Sequence, residues 1–330
     1  MTVTSRDKRW RALSGLALLA TLLVAACGGG GQTSHFRAAR VVAFGDESSL
    51  MVDTRNDANG SKYSVNATVS STDPTLVCGL NPLWVQSVAA VYGLVFPQCN
   101  PAPTNIVAPT NRIRATLGAR AADLGAQIDA QTAESPLGAG DLVTVLIGQN
   151  DVIAEYQQYP AQSEAQLIAN VEAEGAEVGR QVNRITDTGA RVLLATVVDL
   201  GGSPFGAAER VSHADTDRAA LLTRLTARFN ARMRGTIVND GREIGLILLD
   251  ELVSGIVKFP GTDGISNVTD PVCDLTKSAL TPPSILDCTS LTLVPNGSAA
   301  YMWADDRHLS AAMQNLLGSL AITRAQNNPF

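Results

Sequence analysis

Four apolar runs punctuate the chain, and each ends in a cluster of turn formers: RVVAFGD (40–46), DLVTVLIGQND (141–151), ARVLLATVVDLGG (190–202) and IGLILLDEL (244–252). Their Val, Ile and Leu residues are continuous rather than alternating, the pattern of strands buried on both faces in a parallel sheet. Between them apolar positions recur at helical spacing. The clearest case spans 163–188, where Leu167, Val171, Val178, Val182 and Ile185 share one face, Ser163 and Gln166 form a capping-box signature, and Gly189 ends the run. Similar patterns predict helices over 82–93, 119–131, 215–238 and 309–324. Strand and helix alternate, which predicts an α/β fold: a three-layer α/β/α sandwich with a mainly parallel, doubly wound sheet. One segment departs from this. In residues 53–72 a turn signal at Asn59 and Gly60 precedes alternating Tyr63, Val65, Ala67 and Val69, which predicts a β-hairpin insertion. Its acidic loop is not a calcium loop, because Arg55 stands where the first carboxylate belongs and Asn66 where the closing glutamate belongs.

The N-terminus has another character. Arg6, Lys8, Arg9 and Arg11 precede LSGLALLATLLVAA, and the tetrapeptide VAAC ends at Cys27. The run is short for a membrane span and reads as a signal peptide over 1–26, with VAAC similar to a bacterial lipobox and Cys27 as the lipidation site. A Gly-rich tether (27–40) then leads into one domain (41–330). Gly28 after Cys27 is not the aspartate associated with inner-membrane retention, so the expected location is exported and lipid-anchored to the outer membrane. Loss of residues 1–26, which hold four basic residues and one acid, takes the formal net charge from −6 to −9. That acidity argues against a nucleic-acid partner.

Apart from Cys27 there are four cysteines, Cys78, Cys99, Cys273 and Cys288, which allow three pairings. Proximity favours Cys78–Cys99 and Cys273–Cys288, each closing a Pro- and Asn-rich loop. Close-spaced ligand pairs are lacking and histidines are few, so no metal is expected, and no cofactor motif is present.

Ligands of open α/β sheets collect at the carboxyl ends of the strands. Three blocks fall there in order: FGDESS (44–49), IGQND (147–151) and WADDRHLS (303–310). Together they resemble the SGNH or GDSL esterase and lipase family, over about residues 41–325. The resemblance implies a flavodoxin-like hydrolase fold, His308 as base oriented by Asp305, Asn150 as side-chain oxyanion donor, and an ester substrate such as an acyl lipid or acetylated glycan. It also implies a glycine N–H donor, for which Gly118 in TLGARAADLGAQID (116–129) is the match. A serine hydroxyl needs an adjacent base, and that base needs a carboxylate to fix its tautomer. Asp151 reads as a cap of its own turn. No G-x-S-x-G elbow occurs, which disfavours the larger α/β-hydrolase fold.

One letter departs from the family. Glu47 stands at the nucleophile position, followed by Ser48 and Ser49. The first expectation is a one-residue slip that presents Ser48 as nucleophile for Ser-His-Asp ester hydrolysis. The alternatives are a catalytically inactive binding module on the same scaffold, and an acid/base pair of Glu47 with His308.

Overall fold

The computed structural model describes residues 36–103, 105–238 and 241–327. The expected signal peptide, Cys27 and most of the tether lie outside these residues. The tether's last part is packed: Phe36 meets Tyr92 edge-on at 6.4 Å, the Arg191 guanidinium lies 4.7 Å from the Phe36 ring, and Ala39 donates its N–H to the Gly140 carbonyl. Within the described residues, packing already includes Phe36 and Ala38, ahead of position 41, because both bring apolar surface to the core edge.

Five strands form the central sheet: β1 (Arg40–Gly45), β4 (Arg112–Ile113), β5 (Asp141–Leu146), β6 (Arg191–Ala195) and β7 (Ile244–Ile247). All neighbours pair in parallel, in the spatial order β4-β1-β5-β6-β7. Numbered along the chain this is 2-1-3-4-5, the flavodoxin-like doubly wound order, with the direction of winding reversing between β1 and β5. Helices cover the sheet on both sides: α1 (Trp84–Val91) packs with α8 (Ala311–Asn327), while α4 (Glu164–Thr186) packs with α2 (Ala121–Glu134) and α6 (Arg218–Thr236). The three-layer α/β/α architecture expected from the alternation is thus the one observed.

The apolar runs do not end as predicted. The fourth run stops as strand at Ile247 and becomes helix α7 (Leu249–Lys258); the third stops at Ala195; the second gives way to α3 (Gln149–Tyr156). Continuous apolar sequence cannot distinguish a buried strand from the first turn of a buried helix, so these boundaries were hidden.

The insertion also differs in detail. The ladder joins β2 (Met51–Val52) to β3 (Ser61–Lys62), antiparallel, and ends before Tyr63. Residues 63–68 are buried without a ladder. Their backbone is tied to other segments instead: Asn66 N–H donates to the Cys288 carbonyl and Val77 N–H to the Ala67 carbonyl, while Asn66 Oδ1 accepts from Lys62 N–H and its Nδ2 lies within hydrogen-bond reach of the carbonyls of Lys62, Ser64, Leu286 and Cys288. Asp53, in the acidic loop, accepts the N–H groups of Asp57 and Ala58 and so closes the turn. Tyr63, Val65, Val272, Cys273, Ile285, Cys288 and Ala304 form a second small core, separate from the main one.

Candidate active site

β1 and β5 leave the sheet at the switch point through glycines with the same left-handed φ of 129°. A Cβ on Gly45 would lie 2.0 Å from the Leu146 carbonyl oxygen, and one on Gly148 would lie 2.3 Å from the Phe229 ring. No other residue fits either exit. After Gly45, Asp46 caps a 3-10 turn, Glu47–Ser49, by accepting the Ser48 N–H. After Gly148, α3 begins, which places Gln149 and Asn150 in its first turn.

Glu47, 3% exposed, turns its side chain inward to meet a ring of donors. Its Oε2 accepts from Gly118 N–H at 2.9 Å and from Asn150 Nδ2 at 3.1 Å. Its Oε1 accepts from Gln149 Nε2 at 3.1 Å and lies 3.4 Å from His308 Nε2. Donors at about 2.7–3.1 Å from one oxygen are the geometry an oxyanion hole needs, and here a carboxylate oxygen takes that place.

His308 sits at the end of a tight loop, Asp305–His308, closed by Ala304 N–H to the His308 carbonyl. Asp305 Oδ1 accepts the N–H groups of Arg307 and His308, and Oδ2 lies 2.7 Å from His308 Nδ1. This loop is supported from both sides. Cys273 N–H donates to the Ala304 carbonyl, Ser64 Oγ donates to the Leu309 carbonyl, and the Tyr63 ring lies 6.1 Å from the imidazole.

The charges are coupled. Burial pushes the Glu47 carboxyl up, but the hydrogen bond and charge of His308, with the Gly118 N–H, outweigh it and hold the group at about 2. For His308 burial acts downward, and the Asp305 and Glu47 carboxylates raise it to about 10. Asp305 is likewise held at about 2, the His308 charge and hydrogen bond overcoming its burial. Burial and the neighbouring Glu47 charge push Asp46 up to about 8. At neutral pH the site is therefore an imidazolium between two carboxylates.

The expected residues are distributed as follows. Glu47, Gly118, Asn150, His308 and Asp305 converge on one point. Ser48 is half-buried and borders a cavity of about 20 Å³ with Gln149, Leu249, Arg307 and Leu309; His308 Nε2 faces Glu47. Ser49 is buried and accepts from Trp84 Nε1. Asp151 does not cap its own turn: both carboxylate oxygens accept the Ala121 N–H at the start of α2, since the two helix starts abut at the sheet end. Gln149 carried no expected role, although it lies inside the IGQND block. Tyr63 was legible only as an alternating apolar position. Both disulfides join as expected, Cys78–Cys99 and Cys273–Cys288.

Among the described residues, Asp305, Asp306 and His308 bring ligand-type atoms within 4.8 Å of one another. Asp305 Oδ2 and His308 Nδ1 are already hydrogen-bonded there, so an ion would have to displace that bond. No described helix is long and apolar enough to cross a membrane.

No family model and no curated protein matches the chain. Among solved structures it is similar to a mutant of an acetyl-xylooligosaccharide esterase from Geobacillus stearothermophilus, at 13% identity and a TM-score of 0.43 over 88% of this chain and 95% of that one. It is also similar to an extracellular lipase from Streptomyces rimosus, at 16% identity and a TM-score of 0.45 over 88% of this chain and 100% of that one. In its own geometry, the chain brings the GDES, QND and DDRH blocks of its SGNH/GDSL resemblance to one end of a three-layer α/β/α sandwich, around a glutamate.

Proposed function

We propose that this chain is a non-hydrolysing member of the SGNH/GDSL type, an exported module on an ester-hydrolase scaffold whose reaction centre is closed from within by Glu47. The observation that carries the reading is the Glu47 carboxylate, which accepts from Gly118 N–H and Asn150 Nδ2 while paired with His308. A substrate oxyanion would have to displace it from those donors. A second obstacle is the protonation state. An imidazolium held at about 10 has no lone pair on Nε2 with which to take a serine proton at neutral pH. A carboxylate in the nucleophile position would itself yield an anhydride with an ester, a poor route to turnover. An acylated ligand, lipid or glycan, would then be held at the strand ends without cleavage.

Ester hydrolysis through Ser48 is the second reading. It is favoured by the 2.7 Å Asp305–His308 pair and by the cavity that Ser48 shares with Gln149 and Leu309. It requires Glu47 to withdraw and His308 to lose its proton. The two disulfides fit an oxidising compartment, and we place the chain there as a lipoprotein anchored through Cys27 to the outer membrane.

Fluorophosphonate labelling with p-nitrophenyl ester turnover separates the readings. The wild-type chain should show neither, while the Glu47→Ser variant should label and should hydrolyse at least about 10²-fold above the enzyme-free background, because donors and base are then free to act. Wild-type labelling that disappears in Ser48→Ala would overturn the non-hydrolysing reading in favour of Ser48.

A further inference from the structure

Next to Tyr63, and outside the hydrolase-like centre, Lys62 is fully buried, at 0% exposure. Among the described residues no carboxylate pairs with it. Its Nζ instead donates to three backbone carbonyls of one short turn: Cys78 at 3.0 Å, Leu80 at 2.7 Å and Asn81 at 2.7 Å. An ammonium has three donors, and all three are used. Burying an unpaired charge is costly, so such a site persists only where surrounding dipoles replace water. Here they do. Burial pushes the ammonium down to about 7, and the three carbonyl oxygens are the groups that face the charge in place of water.

The turn is itself unusual. Asn81 has a left-handed φ of 47°, and its Nδ2 donates to the Val65 carbonyl, a second tie to the segment after β3. Gln86 Nε2 donates to the Cys78 carbonyl from within α1. Carbonyls brought to one point are the usual makings of a site for a compact cation. The ammonium in it belongs to the residue just before Tyr63, whose ring lies 6.1 Å from the His308 imidazole.

We propose that the carbonyls of Cys78, Leu80 and Asn81 form a monovalent-cation site, of the class that takes ammonium or a primary alkylammonium, which Lys62 fills in cis, and that the filled cage positions Tyr63 beside His308. Lys62 is thus a positioning residue, whether or not the chain hydrolyses esters.

The test begins with the wild-type chain. With ¹⁵N-lysine labelling at pH 6, Lys62 should give a slowly exchanging ammonium signal with couplings through hydrogen bonds to the three carbonyl carbons. The exposed-type Lys258 and Lys277 should exchange too fast to be seen. A Lys62 ammonium that also exchanges fast, without couplings, overturns the proposal even if no variant folds. The Lys62→Ala variant leaves space for the missing propylammonium. Its Tm should fall, and propylammonium should restore most of the loss saturably, together with the His308 ring shift that Tyr63 imposes. Tetramethylammonium at equal ionic strength has no N–H to donate and should restore neither. Equal rescue by both ions, or a His308 shift unmoved by Lys62→Ala, would refute the cage and its positioning role respectively.

Discussion

Replacing Glu47 by Gln keeps the shape and an acceptor oxygen but removes the charge that faces His308. The two groups are 3.4 Å apart and almost fully buried. At an effective dielectric of about 20, unit charges at that distance attract by about 5 kcal/mol, on the order of 3.6 pKa units at about 1.36 kcal/mol each. Part of the interaction survives, because the Gln amide oxygen can still accept from the protonated Nε2, so a fall of about 2 units or more in the His308 pKa is expected. Histidine-selective NMR reads this directly, since the chain has only His35, His213 and His308. In the wild type the His308 ring should stay protonated until the pH approaches 10. Stability follows the same titration. A histidine whose folded pKa is raised contributes stability that is fully present below about 6.5 and is lost as pH rises through about 10. Glu47 and Asp305, held at about 2, contribute stability present above the usual carboxylate range and lost as pH falls through it. The wild type should therefore unfold at progressively lower urea as pH rises from 7 to 10, and Glu47→Gln should move that alkaline loss downward. A His308 that titrates near 6.5 in the wild type, or equally in both proteins, would refute the ion-pair account.

The Cys273–Cys288 bridge spans 15 residues and closes the loop that supports the Asp305–His308 turn. Changing both cysteines to serine should cost about 3 kcal/mol in urea unfolding, and an unchanged midpoint would refute that role. Anchoring predicts that palmitate is incorporated by the wild-type chain and not by Cys27→Ser, with the variant released from the membrane fraction; equal labelling of both would refute Cys27 as the site.

The architecture was legible because its causes are local and periodic. Strands buried on both faces must be apolar throughout, and helices against them must carry a stripe, so the α/β alternation is written in the order of residues. The FGDESS, IGQND and WADDRHLS blocks marked the strand ends where polar groups gather, and the cysteine spacing indicated both disulfides. Boundaries were hidden where an apolar run passes from strand to helix, as at Leu248. The hairpin was misjudged because the backbone after Lys62 pairs with the segments around Val77 and Cys288 rather than with the strand before it.

What the sequence determined by itself was the letter: Glu47 where a serine is expected. Where that carboxylate points was decided by tertiary structure. β1 and β5 pair side by side, and with left-handed exits at Gly45 and Gly148 the residues that follow, Glu47 and Asn150, meet the Gly118 loop at the switch point. The donors of Gly118, Gln149 and Asn150, together with His308, come from segments 71 to 261 residues away from Glu47. No periodicity along the chain encodes such distances. Charge pairing in a buried site depends on which groups share it, and only the closed fold brings these groups together.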